Sequence, residues 1–335
     1  MTKPVSFGVI STARIGWEKV IPAMQKSKFC KIDAICSRDL PTAQAMAKKL
    51  GIAKAYGSYE AMLDDKDIEA VYNPLPNHLH VPWSIAALKA GKHVLCEKPI
   101  GLDAKEALKL VAAEKKYGKI AAEAFMVRHH PQWRRAREIV RSGEIGDVRS
   151  VQTFFSYFND DAGNVRNQAD IGGGGVYDIG CYAIVSARYI FGSEPERVVS
   201  LIERDPKFGT DRLASALMEF PGQRHLTFSV STQLVPYQRV QICGTKGRIE
   251  VQIPFNAIPD VGMKILIDTG AGLSGEGIRT EVTPACDQYG LQGDAFAKAI
   301  RGEATFEFGI ADSVAQMKVI DGVFKSAKLN RWVKI

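Results

Sequence analysis

The segment GKHVLCEKPIG, residues 91–101, places a lysine where a buried strand is expected to end. Residues 94–96 form an apolar run typical of a parallel strand that is covered on both faces. Pro99 lacks an amide hydrogen and favours an extended conformation at Lys98, so the strand is expected to stop there. Either Lys98 serves a ligand at this end of a sheet, or it forms a solvated ion pair with Glu97 and has no chemical role. The surrounding segments decide between these interpretations.

A second candidate segment is DIGGGGVYDIGCYA, residues 170–183. Core packing does not explain four consecutive glycines, which instead allow an unusual backbone path or the close approach of a ligand. Asp178 and Tyr182 are four residues apart and share one face of the helix that is expected to follow. Asp178 lies in the first turns, where the helix dipole favours a carboxylate. The alternative is a capping aspartate and a core tyrosine.

A third candidate is the turn after the first strand, GVISTARIG, residues 8–16, where the pyrophosphate of a dinucleotide would lie. Ser11, Ala13 and Gly16 occupy the three positions of the Gly-x-Gly-x-x-Gly fingerprint. Serine and alanine are small enough for close backbone approach, and the glycine permits tight helix packing. Pro22 excludes an unbroken ideal helix after the turn and predicts a kink or a late helix start.

The end of the second strand is expected to choose between the two nicotinamide cofactors. An acid at this place bonds the ribose 2′-hydroxyl of NAD, whereas an arginine accommodates the 2′-phosphate of NADP. The sequence AICSRDLPTA places Ser37 and Arg38 directly after the strand, which favours NADP. Asp39 leaves NAD open as an alternative, although it could equally cap the next helix.

Strands and helices alternate in the first part of the chain, which predicts a doubly wound parallel sheet with ligands at the carboxyl ends of its strands. The predicted strands are residues 5–10, 32–36, 70–72, 93–96 and 120–124. The predicted helices are residues 43–50, 80–90 and 104–117, the last with Asp103 as its N-cap. Lys98 therefore lies on the ligand side of the predicted sheet.

From about residue 147 the apolar residues alternate with polar ones, and Pro221-Gly222 is one of the turns. This pattern predicts a large, mostly antiparallel open sheet, whose apolar face needs cover from helices or from a second subunit. The C-terminal segment 309–335 predicts one long amphipathic helix and a short strand. We therefore expect an α/β protein with a Rossmann domain at residues 1–124 and a substrate-binding and dimerisation α/β domain at residues 125–335.

The composition sets limits on the class of protein. With 335 residues, 46% hydrophobic and 24% charged, the chain is an ordinary globular protein of about two domains. No run approaches the roughly 18 apolar residues of a membrane span, and the N-terminus lacks the pattern of a signal peptide. The six cysteines are scattered without metal-like spacing, which predicts reduced thiols, a cytoplasmic location and no metal site.

The net charge of +7 could attract an anionic ligand but does not argue for nucleic acid. In the most basic segment, residues 127–144, Trp133, Ala136 and Val140 keep a helical spacing. The arginines between them fall mostly on the solvated face of that helix, so we expect no nucleic-acid partner.

The candidate segments resemble those of one family, the glucose–fructose oxidoreductase/inositol dehydrogenase/MocA (Gfo/Idh/MocA) oxidoreductases. GKHVLCEKP resembles its lysine signature, NPLPNHLHVPWSIAALKAGKHV the segment before it, and GGGGVYDIGCYA its glycine-rich helix start. The resemblance covers essentially the whole chain. AEAFMVRHHP and Tyr182, in place of the commoner histidine, resemble the dimeric dihydrodiol dehydrogenase and NADP-dependent D-xylose dehydrogenase branch. The chain departs from the family at Ser11 and Ala13, and from that branch at His129-His130, where aromatic residues are commoner.

The resemblance implies an NAD(P)-dependent oxidoreductase, with NADP preferred, that transfers a hydride between nicotinamide and a sugar, polyol or cyclic diol. It also implies a homodimer formed through the open sheet. Lys98 would transfer a proton near neutral pH, held in place by Glu97 and Pro99. Asp178 would orient the substrate hydroxyls, and Tyr182 would be the second candidate acid or base.

The expected cofactor contacts are Ser11, Thr12, Ala13, Arg14, Ile15, Ser37, Arg38, Pro74, Asn77, His80, Glu97 and Lys98. The expected substrate contacts are His80, Arg166, Asp178 and Tyr182. Three alternatives remain: an inositol-type NAD dehydrogenase, a non-catalytic dinucleotide-sensing regulator on the same fold, and transient use of the cofactor for glycoside cleavage. Retention of the predicted catalytic residues favours an enzyme over a sensor, which has no need of them.

Overall fold

The computed structural model describes residues 3–335, so the first two residues of the predicted Rossmann domain lie outside it. The chain divides into two compact units. The first unit runs to Met126 and includes Gln288–Met317, and the second comprises Val127–Asp287 and Lys318–Ile335. The first division falls close to the predicted boundary after residue 124.

Residues 288–317 belong to the first unit, although the sequence analysis placed them in the second domain. The physical reason is apolar packing. Phe296 is fully buried, and its ring lies 6.3 Å from that of Phe7 in the first strand. No helix is predicted from the sequence at Gln288–Ile300, and a periodic apolar pattern would not show which of the two sheets such a helix covers.

The first unit contains the predicted parallel sheet, which has six strands because Lys54–Tyr56 adds one to the five expected from the sequence. Its strands are β1 (Val5–Ile10), β2 (Cys30–Cys36), β3 (Lys54–Tyr56), β4 (Ala70–Asn73), β5 (His93–Cys96) and β6 (Ala121–Glu123). Their spatial order is β3-β2-β1-β4-β5-β6. The order reverses between β1 and β4, and ligands of such sheets bind beyond the carboxyl ends of the strands at this switch point.

The α-helices of the described chain cover the sheets. They are α1 (Ile21–Gln25), α2 (Leu40–Leu50), α3 (Tyr59–Leu63), α4 (Asn77–Lys89), α5 (Ala104–Tyr117), α6 (Pro131–Ser142), α7 (Cys181–Phe191), α8 (Gln288–Ile300) and α9 (Ile310–Leu329). A π-helical turn at Gly16–Val20 precedes α1, and Pro22 lies in the first turn of α1. The helical backbone already begins at Arg14, so the predicted late start is wrong, and the segment departs from an ideal helix through the π-helical turn before Pro22.

The second unit contains a nine-stranded sheet that is antiparallel except where β10 pairs with β7. Its strands are β7 (Val148–Phe158), β8 (Arg197–Arg204), β9 (Asp211–Phe220), β10 (Arg224–Ser231), β11 (Gln233–Gly244), β12 (Arg248–Val251), β13 (Lys264–Asp268), β14 (Ile278–Val282) and β15 (Val333–Lys334). The long C-terminal helix and the short last strand agree with the sequence analysis.

One face of this sheet is buried and the other is open. The alternating sequence pattern predicts that apolar positions such as Phe154, Leu226 and Phe228 form a broad face that a second subunit covers. Leu226 and Phe228 are instead buried on the inner face, at 0% and 3% exposure, so that expectation was wrong for these two residues. Phe154 lies on the open face, because Thr153 and Phe155 on either side of it are buried.

Two further features concern the described residues 3–335. None of their helices is both long and apolar enough to cross a membrane. They contain no group of three or more histidine, cysteine, aspartate or glutamate side chains placed to hold a metal ion.

Candidate active site

Lys98 follows β5 directly, at the carboxyl edge of the parallel sheet. Several hydrogen bonds fix this segment within the first unit. The Tyr72 hydroxyl donates to Glu97 Oε1 at 2.7 Å, and the Ile100 amide donates to Glu123 Oε1 at 2.8 Å. Glu123 is 5% exposed, and the Lys98–Pro99 peptide bond is cis. The backbone on both sides of Lys98 is therefore held by buried groups of neighbouring strands.

His80 is placed differently from the sequence expectation, which made it a contact of cofactor or substrate. Its ring is fully buried in α4, with Nδ1 2.7 Å from the Pro99 carbonyl oxygen and Nε2 2.6 Å from that of Leu75. Burial lowers the pKa of His80 to about 4, and the two carbonyl groups act in the opposite direction. Both ring nitrogens thus face protein groups, and the ring joins the end of β4 to the segment that carries Lys98.

The fingerprint turn lies beside this segment on the same sheet edge, since β4 pairs with both β1 and β5. Ser11 has φ of +80°, a conformation that favours glycine, so the backbone keeps the fold of a glycine fingerprint although the residue is serine. Its Oγ accepts a hydrogen bond from the Ala13 amide at 3.3 Å. A Cβ on Gly16 would lie 3.7 Å from the Tyr72 ring and 3.8 Å from Pro74, which are ordinary van der Waals distances, so this residue lies beside the end of β4 with room for a methyl group.

The remaining residues predicted to contact the cofactor also belong to the first unit. Thr12 and Asn77 are half-buried, Ile15 packs against the core of the unit, and Pro74 is buried at the end of β4. Arg14 is exposed and forms an ion pair with Glu18 at 2.7 Å. These residues fit a dinucleotide because they follow adjacent strands at the edge where such sheets bind ligands.

The end of β2 carries the residues predicted to choose the cofactor. Ser37 is half-buried and its amide donates to the Tyr56 carbonyl at 3.1 Å, whereas the Arg38 side chain is exposed. Asp39 is the N-cap of α2, where its Oδ2 accepts from the Thr42 amide at 2.9 Å and from the Thr42 hydroxyl at 2.6 Å. These bonds hold the pKa of Asp39 below its usual value. Of the two roles considered for Asp39, the structure shows the cap.

The second unit brings together Asp178 and Arg166, which were each predicted as substrate contacts but not as partners of one another. Arg166 Nε lies 2.9 Å from Asp178 Oδ2, and the Tyr157 hydroxyl donates to the same oxygen at 2.5 Å. The carboxylate raises the pKa of Arg166, and burial together with this carboxylate raises the pKa of Tyr157. The Asp178 side chain is 14% exposed. Two donors on one oxygen fix the orientation of the carboxylate.

Tyr182 lies one turn further along the same helical segment and is 6% exposed. Its ring packs against Phe155 and Phe255, with centroid distances of 6.1 Å and 5.3 Å. Aromatic packing of this kind restricts the ring to one orientation. Tyr182 also contributes, after Asp178 and Tyr157, to the raised pKa of Arg166.

Sequence reasoning missed Tyr157, Tyr72 and Glu123. Tyr157 lies near the end of β7 in an alternating strand pattern, where a tyrosine has no distinguishing feature. Glu123 is the last residue of a short strand. The only sign of its role in the sequence is an acidic residue that directly follows the apolar residues 120–122. Tyr72 and Tyr157 bond to the predicted site residues Glu97 and Asp178, whereas Glu123 bonds to the amide of Ile100, two residues after Lys98.

Family models match both units. The model described as an oxidoreductase family with an NAD-binding Rossmann fold matches residues 5–125, and the model of the GFO/IDH/MocA C-terminal domain matches residues 133–250. Together the two models account for most of the chain.

Curated relatives and solved structures agree with these models. A D-xylose 1-dehydrogenase (NADP(+)) of Haloferax volcanii is 38% identical over 98% of this chain and 99% of its own. A trans-1,2-dihydrobenzene-1,2-diol dehydrogenase of Mus musculus is 32% identical over 73% of this chain and 74% of its own. The crystal structure of a 3-ketoreductase from Actinomadura kijaniata, in complex with NADP and TDP-benzene, has a TM-score of 0.90 at 30% identity, covering 96% of this chain and 98% of its own. The protein therefore belongs to the Gfo/Idh/MocA oxidoreductase family, with a Rossmann-fold nucleotide-binding domain at its N-terminus.

Proposed function

We propose that the protein is an NADP-dependent dehydrogenase or reductase that interconverts a hydroxyl and a carbonyl group of a sugar or a related polyol or diol. The observation that carries this proposal is the placement of Lys98. It follows a strand next to the fingerprint turn, and Glu97, Glu123 and His80 hold its backbone segment. A lysine fixed at this sheet edge is suited to act on a substrate beside a bound dinucleotide.

NADP supplies the hydride chemistry when bound, and the side chains supply binding, orientation and proton transfer. Lys98 gives a proton to, or takes one from, the oxygen of the reacting carbon. Asp178, fixed by Tyr157 and Arg166, accepts hydrogen bonds from substrate hydroxyls. Tyr182 is the second candidate for proton transfer, since its hydroxyl can donate and accept.

The preference for NADP rests on the end of β2. Arg38 is exposed and available to an anion, whereas Asp39 already accepts two hydrogen bonds from Thr42. Both bonds go to Oδ2 of Asp39, so the preference for NADP rests on the cationic side chain of Arg38 rather than on a loss of acceptors at Asp39. The relative from Haloferax volcanii is named for NADP(+), and the 3-ketoreductase structure contains NADP, which supports the same choice.

Substrate-dependent reduction of NADP tests the proposal. Purified protein is mixed with NADP and, separately, with D-xylose, other aldoses, inositols and cyclic diols, and the absorbance of reduced nicotinamide is followed. We expect turnover with at least one of these classes, faster with NADP than with NAD. Cofactor binding without turnover of any class, in either direction, would contradict the proposal and favour the sensor alternative.

We propose, as a separate matter, that the open face of the nine-stranded sheet is the interface of a homodimer. Apolar side chains lie along this face, among them Phe154, Leu201, Leu217 and Tyr237, and they line a groove of about 760 Å³. Leu201 is 74% exposed, although it lies in the middle of a strand. A second copy would remove this surface from water. Light scattering at micromolar concentration should give the mass of a dimer, and a clean monomer would refute the assignment.

We also propose a cytoplasmic location. The six cysteines are free thiols, four of them buried, and reduced thiols are typical of a reducing compartment. Fractionation of cells that produce the protein should recover it with cytoplasmic markers, and recovery from an oxidising compartment would contradict this.

A further inference from the structure

Three of the four consecutive glycines of the second unit, residues 173–175, pack against the protein itself. A Cβ on Gly173 would lie 2.6 Å from the Gln168 carbonyl oxygen and 2.7 Å from that of Arg166. A Cβ on Gly174 would lie 1.9 Å from Oδ1 of Asp211, and Gly174 has φ of +121°. Side chains are excluded at both positions, because the chain here runs against a neighbouring backbone and against a carboxylate.

That carboxylate belongs to the first residue of β9, and none of the chemistry assigned above uses it. Asp211 is 2% exposed, and its Oδ2 accepts a hydrogen bond from the Val176 amide at 2.5 Å. The Gly175 amide acts on this carboxyl group in the same sense as the Val176 amide, since both lower the pKa of Asp211 against the effect of burial. These two amides open the helical segment that continues through Asp178 to Tyr182, and such amides have no partner within the helix.

The same turn is connected to the Asp178 cluster. The Gly174 amide donates to the Arg166 carbonyl at 2.9 Å, and the Asp178 amide donates to the Gly174 carbonyl at 3.0 Å. Gly174 thus touches Asp211 on one side, and on the other it bonds to the backbone of both members of the ion pair. A shift of the turn would move the two partners relative to Tyr157, which lies on a strand.

We propose that Asp211 is a positioning residue, whose carboxylate fixes the first turn of the helix that carries Asp178 and Tyr182. The inference rests on the proposed function only in taking Asp178 and Tyr182 as site residues. Asp211 forms no salt bridge with any described residue. Burial of a carboxylate without such a partner lowers the free energy of unfolding. The proposed role accounts for this unfavourable burial, because the Asp211 carboxylate holds the helix that carries Asp178 and Tyr182 in place.

The test is Asp211→Asn, which keeps the size of the side chain but replaces one acceptor oxygen by an NH₂ donor facing amide donors. The assay uses NADP with D-xylose, or with the aldose that the substrate panel identifies. We expect kcat to fall about 10- to 100-fold, because this is the loss expected when site residues move by a fraction of an ångström. The KM for NADP should stay unchanged. Hydrogen exchange of the Val176 amide should quicken about tenfold or more.

Asp205→Asn is the matched control. Asp205 is also a buried aspartate beside β9, but it bonds to Gln233 and to the amides of Lys207 and Phe208, away from the glycines. We expect this control to lower the melting temperature and to keep kcat. A lower melting temperature and a proportionate loss of kcat in Asp211→Asn would show a merely structural residue and overturn the proposal. Unchanged exchange at Val176, or unchanged kcat with faster exchange, would overturn it as well.

Exchange in the unsubstituted protein decides the matter if Asp211→Asn does not fold. Amides in the first turn of a helix exchange quickly when nothing accepts their hydrogen bond. The proposal predicts that the Val176 amide is protected as strongly as amides in the middle of α7. Fast exchange at Val176 would refute the anchoring role without bearing on whether the protein is a dehydrogenase.

Discussion

Replacement of Arg38 by alanine tests the assignment of the cofactor. An arginine–phosphate contact contributes about 1.5–3 kcal/mol. The Arg38 side chain is exposed, so salt and water screen the contact, and the lower part of that range applies. We therefore expect the dissociation constant for NADP to rise about 10- to 30-fold, because 1.4 kcal/mol corresponds to a factor of ten. The dissociation constant for NAD should change less than about twofold, since NAD has no 2′-phosphate.

Titration of the protein with each reduced cofactor, followed by nicotinamide fluorescence at low and moderate salt, measures both constants. Lys31→Ala is the control, since Lys31 lies near the opposite end of β2 and pairs with Asp33. It removes the same unit of charge and should leave both constants unchanged. An equal loss of affinity for NADP and NAD in Arg38→Ala would refute the contact with the 2′-phosphate.

Three further predictions concern the second unit. Tyr157→Phe removes one of the two donors on Asp178 and should lower kcat about tenfold in steady-state assays, with affinity for NADP unchanged; an unchanged kcat would contradict the role of this hydrogen bond. Burial raises the pKa of Asp211 from 3.8 to about 6, so the folded state holds its proton more tightly and the protein loses stability as the pH rises from about 4 to 6. Urea unfolding should show that Asp211→Asn lacks this loss, which amounts to about 3 kcal/mol, and parallel pH dependences would contradict the assignment. Leu201→Glu on the open sheet face should yield monomers in light scattering. The control Leu108→Glu, at an exposed position of α5, should leave the dimer intact. Intact dimers in both variants would exclude this sheet face as the interface.

The sequence predicted the architecture well where the signal was periodic or local. Five of the six parallel strands of the first unit and the Asp103 cap follow from patterns of a few residues, and the Asp103 side chain accepts from the Glu106 amide as expected. The position of Lys98 at the end of β5 follows from the apolar run and the proline after it. Local rules suffice for such features, because the interactions that decide them join neighbouring residues.

The remaining features depend on contacts that a sequence does not display. His80 has the residue type of a ligand contact, yet its ring bonds to carbonyl groups from the ends of two different strands. The glycines were expected to approach a ligand or to follow an unusual path, and they approach Asp211, which lies far along the chain. Leu226 and Phe228 alternate correctly, but alternation does not tell which face of a sheet the helices cover.

The rate of Lys98→Met tests the central claim most directly. Methionine keeps nearly the length of lysine and removes the ammonium group, and positioned acid–base groups contribute about 10²–10⁴-fold to a rate. We expect kcat to fall by that factor while the dissociation constant for NADP stays unchanged, and we expect Lys89→Met on the exposed end of α4 to keep both values. A Lys98→Met variant that is folded, binds NADP and turns over at the rate of the unsubstituted protein would contradict the proposed mechanism.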